Sequence, residues 1–196
     1  MWYNSIMELK SNNLKFRTTE KCFDKISKII SNDSYESGGA IFEDFTSYWH
    51  MYYDPKYVDV WNTNQIDTIP DYVKADLGDK LFNRLSAISN GKTNFYGIDK
   101  IFKRRDGKYD FHQDKAHKSR DNNEAIKQVE GMCTLAYLSN KQCPDMIEDL
   151  VLNSMADDIT DMAGVVAEYG NLITYHYNDF CPDPDAAERV NEDIEF

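Results

Sequence analysis

Five carboxylates near the C-terminus have a spacing that could hold a metal ion, and they are Glu148, Asp149, Asp157, Asp158 and Asp161. Carboxylates three or four residues apart on a helix share one face, where their oxygens could bind Mg²⁺ and present it to a diphosphate group. This chemistry would make the chain a Mg²⁺-dependent nucleotide pyrophosphohydrolase that uses a carboxylate helix. Such a site also needs a second acidic helix and nearby cations for the phosphates, which this part of the sequence lacks. A solvated helix face is therefore the simpler interpretation.

The histidines and cysteines indicate no enzyme. His112 and His117 stand beside Asp110 and Asp114 and could form a metal site, but a polar loop after a hairpin accounts for them more simply. The four cysteines stand far apart, as free thiols of a reducing compartment do. The sequence has no H-E-x-x-H motif, no zinc-ligand spacing and no phosphate-binding or nucleophile motif. We therefore predict a non-enzymatic protein with no catalytic residue, no metal site and no cofactor.

The negative charge of the chain is concentrated in its last quarter. The whole sequence has a formal net charge of -12, whereas residues 143–196 alone carry 14 acidic residues and one basic residue, Arg189. A segment of this kind repels itself unless it is solvated or meets a cationic surface. It could mimic the phosphates of DNA, steer an acidic interface onto a basic protein, or serve solubility alone.

A second candidate surface is aromatic and comprises Tyr48, Trp49, Tyr52, Tyr53 and Trp61. We predict two antiparallel strands here, joined by a turn at Asp54-Pro55-Lys56. Exposed tyrosine and tryptophan side chains are favoured as interface anchors, although on one face of a sheet the same residues would be core. The basic segment from Lys100 to Arg105 could contact phosphates, but the overall negative charge disfavours direct nucleic-acid binding.

Hydrophobic periodicity predicts an α+β fold, with four main helices and short antiparallel hairpins in a single compact domain. The predicted helices cover Thr19–Ser31, Pro70–Asn90, a segment that opens with a capping box at Asp121 and ends by Asn140, and Pro144–Tyr169. Further strands are predicted as a hairpin around Asp106-Gly107 and as a final strand from Leu172 to Tyr177. We expect residues 1–178 to form the domain and residues 179–196 to form an acidic C-terminal tail.

The distribution of apolar residues predicts a protein that does not enter a membrane. No stretch approaches the roughly 18 consecutive apolar residues that a membrane helix needs, and the N-terminus does not resemble a secretory signal. We therefore expect a cytoplasmic location.

The aromatic run Tyr48-Trp49-His50-Met51-Tyr52-Tyr53, the acidic end and the overall composition resemble the host-takeover proteins of bacteriophages with AT-rich genomes. In length and acidity the chain is similar to the sigma-factor-binding transcription inhibitors of large staphylococcal phages. This resemblance implies binding to the sigma factor of RNA polymerase in the host bacterial cytoplasm, and inhibition or redirection of host transcription. The alternative is a DNA-mimic inhibitor of a DNA-binding host defence protein. In either case, the predicted partner-binding residues are the five aromatic residues and the five carboxylates named above.

Overall fold

The computed structural model describes residues 35–88, 97–117, 123–124, 129–156, 158–159 and 172–180. Its helices are α1 (Tyr35–Tyr53), α2 (Asp71–Leu77), α3 (Asp79–Ile88), α4 (Glu130–Gln142) and the short α5 (Tyr177–Phe180). Its strands are β1 (Tyr57–Asn62), β2 (Lys100–Arg104), β3 (Tyr109–Lys115), β4 (Asn123–Glu124), β5 (Ile147–Ser154), β6 (Asp158–Ile159) and β7 (Leu172–Tyr175), and a 3₁₀ helix covers Thr63–Thr68. The predicted α+β class is confirmed. The helix predicted at Thr19–Ser31 and nearly all of the predicted acidic tail lie outside the described residues.

Five of the strands form a mixed sheet in the order β1-β2-β3-β5-β7. The strands β1, β2 and β3 pair antiparallel, whereas β5 runs parallel to β3 and β7 runs parallel to β5. A parallel pair needs a crossover connection, and α4, which lies between β3 and β5 in sequence, packs on both strands. The expectation of antiparallel hairpins is therefore met only in the first part of the described sheet.

Two of the predicted strand elements are confirmed. The strands β2 and β3 form the expected antiparallel hairpin, and Gly107 at its turn has a φ of 91°, which a glycine adopts without strain. The final strand is present as Leu172–Tyr175 and ends two residues earlier than predicted.

The predicted aromatic hairpin is wrong, because its first half belongs to helix α1 and only its second half, β1, is a strand. Phe42, Thr46 and His50 follow one another at four-residue intervals and are fully buried, so they line the helix face that meets the sheet. The aromatic residues around them favour strand by propensity, but burial along one helix face outweighs that preference.

The helix predicted from Pro144 is also wrong, since Ile147–Ser154 is the strand β5. Apolar residues at three- and four-residue spacing fit a helix, but they equally fit a short strand that is buried on both faces. Strands with parallel neighbours carry continuous apolar runs, as Leu150, Val151 and Leu152 do here.

Two further helices differ from their predicted bounds. The helix predicted from Pro70 is divided at Gly78, whose φ of 108° ends α2 before α3 begins. The helix predicted to open with a capping box at Asp121 begins at Glu130 instead, as α4. Asn123–Glu124, inside the predicted capping box, is the strand β4 and pairs in parallel with β6.

The sheet separates two layers of different chemistry. On the apolar face, side chains of α2, α3 and α4 join alternate strand residues in one hydrophobic core that includes Val73, Phe82, Ile101, Phe111, Met132 and Leu152. Helix α1 covers the polar face, where a smaller cluster contains Phe42, Ala116, Met155 and Phe180. The polar face also buries ionisable strand residues, and these are Lys100, Asp110, His112 and Asp114.

The described elements bear on two further predictions. None of the helices in the described ranges has the length and apolar character needed to cross a membrane. Cys133 and Cys143 are free thiols, and the other two cysteines lie outside the described residues.

Candidate active site

Three buried polar side chains, Thr46, Lys100 and Asp114, join α1 to the sheet and are here called the Thr46–Lys100–Asp114 cluster. Lys100 Nζ lies 2.5 Å from Asp114 Oδ2 and also donates a hydrogen bond to Thr46 Oγ1. Thr46 Oγ1 donates to Asp114 Oδ1 over 2.9 Å, and Asn153 Nδ2 donates to the same oxygen over 2.8 Å. Buried ions need such partners, because an unpaired charge in this position would be strongly destabilising. Lys100, the first residue of the basic segment considered for phosphate contact, is therefore buried and paired within the fold.

Glu43 and Asp99 lie beside this cluster and are here called the carboxylate corner. Asp99 directly precedes β2, and its Oδ2 accepts a hydrogen bond from the backbone N–H of Asp114 over 2.7 Å. Burial raises the pKa of Glu43 to about 7, and the negative charges of Asp99 and Asp114 add to the shift. Burial and the charge of Asp114 likewise raise the pKa of Asp99. Burial, reinforced by the neighbouring carboxylates, therefore favours the protonated form of both side chains.

Two residues at the end of β3, Gln113 and Lys115, lie near the loop that carries Asp99. Gln113 is 4% exposed, and its Oε1 has no hydrogen-bond partner within the described ranges. Its amide packs against the loop that carries Asp99, since a Cβ atom on Gly97 would lie 3.1 Å from Gln113 Nε2. The positive charge of Lys115, which is half-buried, lowers the pKa of Asp99 and so partly offsets the effect of burial. Lys115 therefore places a positive charge near Asp99, whereas Gln113 lies on the face of β3 that carries Tyr109 and Phe111, away from α1.

This arrangement suits a cation that is shared with a substrate. Within the part of the chain that the structure describes, no three His, Cys, Asp or Glu side chains are arranged to hold a metal ion by themselves. Mg²⁺ does not require such a cage, because it is commonly bound through one or two carboxylates, several waters and the phosphates of a substrate. Two carboxylates, Glu43 and Asp99, match that smaller requirement in number.

A second polar network extends along the same face of the sheet. Tyr57 OH donates to Asp110 Oδ2 over 2.7 Å and lies 3.0 Å from His112 Nε2. Asn153 Nδ2 lies 3.3 Å from His112 Nδ1, and Asn153 Oδ1 lies 2.8 Å from His50 Nε2. The network is buried throughout, so it supports the fold and does not meet a substrate.

The hydrogen bonds of this network assign the protons of both histidines. Because the Tyr57 proton goes to Asp110, His112 Nε2 must donate to the tyrosine oxygen, and His112 Nδ1 accepts from the amide of Asn153. His50 Nε2 then donates to the Asn153 carbonyl oxygen. Both imidazoles are thus neutral, which agrees with burial lowering the pKa of His50 to about 4 and the pKa of His112 well below its usual value.

The predicted aromatic surface is divided between core and solvent. The side chains of Tyr48, Tyr52 and Tyr53 are 36%, 66% and 57% exposed. Trp49 is half-buried and packs edge-on against Tyr175 and Phe180, whereas Trp61 is buried in the core of the apolar face. The five residues do not form one surface, because they lie on a helix and a strand that present them to different surroundings.

The predicted carboxylate helix is wrong for Glu148, Asp149 and Asp158, which lie on strands and so do not share a helix face. Glu148 and Asp149 lie on β5, where Lys108 pairs with Glu148 and Arg104 Nη1 lies 2.8 Å from Asp149 Oδ2. Asp158 lies in β6, while Asp157 and Asp161 fall outside the described residues. The metal site considered at His112 and His117 is not formed by His112, because Tyr57 and Asn153 occupy both of its ring nitrogens.

The carboxylate corner was missed because its residues come from separate elements. Glu43 is on α1, Asp99 precedes β2, and no short motif joins them. One signal was present in the sequence: Asp110, His112 and Asp114 alternate along a strand, which places three ionisable side chains on a single face.

The chain matched none of the protein-family models, curated proteins or solved structures with which it was compared.

Proposed function

We propose that this chain is a metal-dependent hydrolase of phosphoester bonds that works at the corner formed by Glu43 and Asp99. The observation that carries the proposal is the position of Glu43 on α1 beside Asp99 and the buried Asp114, where burial and the two negative charges raise the pKa of Glu43 to about 7. Neighbouring carboxylates that disfavour one another's ionisation are stabilised by a divalent cation. Strongly shifted titratable groups of this kind are concentrated at catalytic sites.

The residues present suit Mg²⁺. Glu43 and Asp99 would hold the ion through carboxylate oxygens. When bound, Mg²⁺ acts as a Lewis acid toward a phosphoryl oxygen and lowers the pKa of bound water.

The other side chains near the corner fit distinct roles. Lys115 is half-buried beside Asp99, and its ammonium group suits contact with a negatively charged phosphate. Lys100 is fully buried and paired with Asp114, so it supports the corner without reaching a substrate. The backbone N–H of Asp114 holds the Asp99 carboxylate in one orientation.

Cleavage assays test this proposal directly. Labelled single- and double-stranded DNA, RNA and nucleoside triphosphates would be incubated with the full chain and Mg²⁺, Mn²⁺ or a chelator. We expect metal-dependent cleavage of at least one substrate, and Asp99→Asn should lower it by about 100-fold or more. Asp71→Asn, the same change at a fully exposed carboxylate, is the matched control and should keep wild-type activity.

Failure to cleave any of these substrates with either metal would overturn the proposal. The expectation of a non-enzymatic protein stays a prediction, and this assay decides between the two.

Binding to a basic, nucleic-acid-handling protein is a second candidate function. The exposed tyrosines of α1 support it, because Tyr48 and Tyr52 lie on successive turns with Tyr53 beside them. The net charge of -12 would favour association with a cationic partner. The partner implied by the sequence resemblance is the sigma factor of bacterial RNA polymerase, with a DNA-binding host defence protein as the alternative.

Direct binding to purified sigma factor tests this candidate. We expect salt-sensitive binding that Tyr52→Ala weakens by about tenfold or more, as loss of an interface anchor does. Tyr137→Ala removes a similarly exposed tyrosine from α4 and should leave the affinity unchanged. No binding at low salt would eliminate sigma factor as the partner.

A further inference from the structure

Strand β1 forms one edge of the five-stranded sheet. It pairs with β2 on one side, and none of the other described strands pairs with its second side. The N–H of Thr63 donates to the carbonyl oxygen of Asp99 over 2.9 Å, so the backbone groups of Thr63 face β2. Because these groups alternate in direction along an antiparallel strand, those of Val60, three residues earlier, point away from β2. Strand β1 therefore presents backbone hydrogen-bonding groups along its outer edge.

The carboxylate of Asp59 covers part of this outer edge. Asp59 Oδ1 accepts a hydrogen bond from the N–H of Val60 over 2.9 Å. Asp59 also lies directly across from Lys103 of β2, whose Nζ is 4.5 Å from the centroid of the Tyr72 ring. Burial raises the pKa of Asp59, and the Val60 N–H and the charge of Lys103 partly offset that rise. These contacts hold the carboxylate beside the one backbone donor that a neighbouring strand at this position would need.

A β-bulge lies next to the covered position. The register of β1 on β2 shifts between Tyr57 and Asp59, so Val58 is the extra residue, and its side chain is 39% exposed. Bulges and charged side chains are both features by which proteins prevent an edge strand from pairing with another chain. Strand β1 thus combines two features that oppose pairing with an exposed apolar residue that would favour it.

We propose that Asp59 prevents the outer edge of β1 from pairing with the same strand of a second copy of this chain. A second copy fits this edge because an antiparallel pair centred on Val60 is self-complementary, as a two-fold symmetric interface requires. Each Val60 would exchange two N–H···O bonds with its counterpart, and each Asp59 would face Trp61 of the copy.

The same register explains why Asp59 opposes the dimer. The N–H of Val60 is already bonded to the carboxylate, so pairing must first break that hydrogen bond. The two Asp59 side chains would also lie diagonally across the pair, about 7–8 Å apart, where like charges repel. Removal of the carboxylate relieves both effects. The inference does not depend on hydrolysis at the carboxylate corner.

Analytical ultracentrifugation of the full chain over a series of concentrations tests the proposal. Asp59→Thr removes the carboxylate and keeps a side chain that favours strand, and we expect it to lower the dimer dissociation constant by about tenfold or more relative to the wild type. Asp59→Asn keeps an oxygen that can accept from Val60 and should associate more weakly than Asp59→Thr. Asp71→Thr removes a fully exposed carboxylate from α2 and should match the wild type.

A disulfide crosslink identifies the edge that pairs. In the proposed dimer the two copies of residue 60 face each other with Cα atoms about 5.5 Å apart, a separation that a disulfide can span. Val60→Cys added to Asp59→Thr should therefore give an intermolecular disulfide, which mass spectrometry maps to residue 60. Tyr137→Cys in the same background places a thiol at an exposed site on α4 and should not crosslink at a comparable rate.

The outcomes are distinct from those of the cleavage assay. Stronger dimerisation of Asp59→Thr with a crosslink at residue 60 supports the role of Asp59, even if no phosphoester is cleaved. Association of folded Asp59→Thr that does not exceed the wild type overturns it, and so does a crosslink that maps elsewhere. Equal association of Asp59→Asn and Asp59→Thr would also overturn it, because the hydrogen bond to Val60 would then not matter. Circular dichroism confirms that each variant is folded, and Asp59→Ala gives the same comparison should Asp59→Thr not fold.

Discussion

The two faces of strand β3 bury side chains of opposite character. Tyr109 and Phe111 enter the hydrophobic core beneath α4, whereas Asp110, His112 and Asp114 face α1. Each large apolar side chain that is buried stabilises the fold by roughly 1.5–3 kcal/mol. A buried charge instead costs several kcal/mol, which its partners only offset. The apolar face therefore supplies net stability, and the polar face fixes geometry at an energetic cost.

The polar face thus buries charged residues at positions where apolar residues would pack as well. Replacing a buried ion pair with apolar residues of similar volume is often neutral or stabilising. The Thr46–Lys100–Asp114 cluster is thus not needed for stability as such. What an apolar replacement would not reproduce is the hydrogen-bonded link from Thr46 on α1 to Asp114, whose backbone N–H holds the Asp99 carboxylate.

The largest expected effect comes from breaking the buried ion pair on the polar face. Lys100→Met leaves the Asp114 carboxylate without its cation, and we expect the free energy of unfolding to fall by about 3–5 kcal/mol. Urea unfolding followed by circular dichroism measures the change. The double variant Lys100→Met, Asp114→Leu should recover part of the loss, because the unpaired charge is then absent. A single-variant loss below about 1 kcal/mol would mean that the ammonium group is not buried as described.

Truncating a core side chain on the apolar face should lower stability by as much as Lys100→Met does, or slightly less. It should leave cation binding at the corner unchanged. Leu152 is fully buried in the core of that face, and Leu152→Ala should lower the free energy of unfolding by about 3 kcal/mol. The folded variant should bind Mn²⁺ like the wild type, whereas Lys100→Met should not. Equal losses of Mn²⁺ affinity in the two variants would erase the functional distinction between the faces.

The dependence of stability on pH tests the charge of the corner. The folded chain holds a proton on Glu43 up to about pH 7, while the unfolded chain releases it near pH 4.5. The contribution of Glu43 to stability is therefore fully present below pH 4.5 and is lost as the pH rises through about 7. We expect this contribution to be about 2 kcal/mol after allowance for partial exposure, and Glu43→Gln should remove it.

Urea unfolding across this pH range, for wild type and Glu43→Gln, measures the effect. Asp71→Asn alters an exposed carboxylate and should reproduce the wild-type profile. His50 acts in the opposite direction, because its lowered pKa makes stability fall as the pH drops from 6.5 toward about 4. Glu43→Gln should therefore show this acid-side loss more clearly than the wild type does. Parallel profiles for wild type and Glu43→Gln would contradict the raised pKa.

The smallest effect is expected on the solvent side of α1. Tyr52 is 66% exposed, and Tyr52→Ala should change the free energy of unfolding by no more than about 0.5 kcal/mol. Thermal unfolding measures it, and a clear loss of stability would place this tyrosine in the fold and not on a free surface. The same variant then serves the sigma-factor binding test, since any loss of binding would not come from unfolding.

Local signals in the sequence predicted some elements well. The Asp106-Gly107 turn between two short apolar segments identified the β2–β3 hairpin, because turn and strands are adjacent in sequence. The start of α2 was found near Pro70, and its interruption at Gly78 is explained by a left-handed backbone that a helix does not tolerate in its interior. Such features depend on a few neighbouring residues, which a sequence displays directly.

Features that depend on distant partners were not predicted. The aromatic residues of α1 favour strand until the sheet buries Phe42, Thr46 and His50 on one side of a helix. The spacing of apolar residues in β5 fits helix and strand alike, and only its parallel neighbours decide between them. The carboxylate corner could not be predicted for both reasons. Its geometry depends on where α1 packs and on the register of β2 on β3, and neighbouring residues in the sequence fix neither.

The pairing of β3 with β5 has a consequence for the chain as it is synthesised. Helix α1 is synthesised before the strands on which it packs, and Thr46 contacts Asp114, 68 residues later, while His50 contacts Asn153, 103 residues later. Contacts over such separations form slowly, because long segments must be ordered before they contribute. A nascent chain that ends before β5 already contains Glu43, Asp99 and Asp114 but lacks the Asn153 amide that holds Asp114. The corner is therefore expected to form fully only after β5 has left the ribosome.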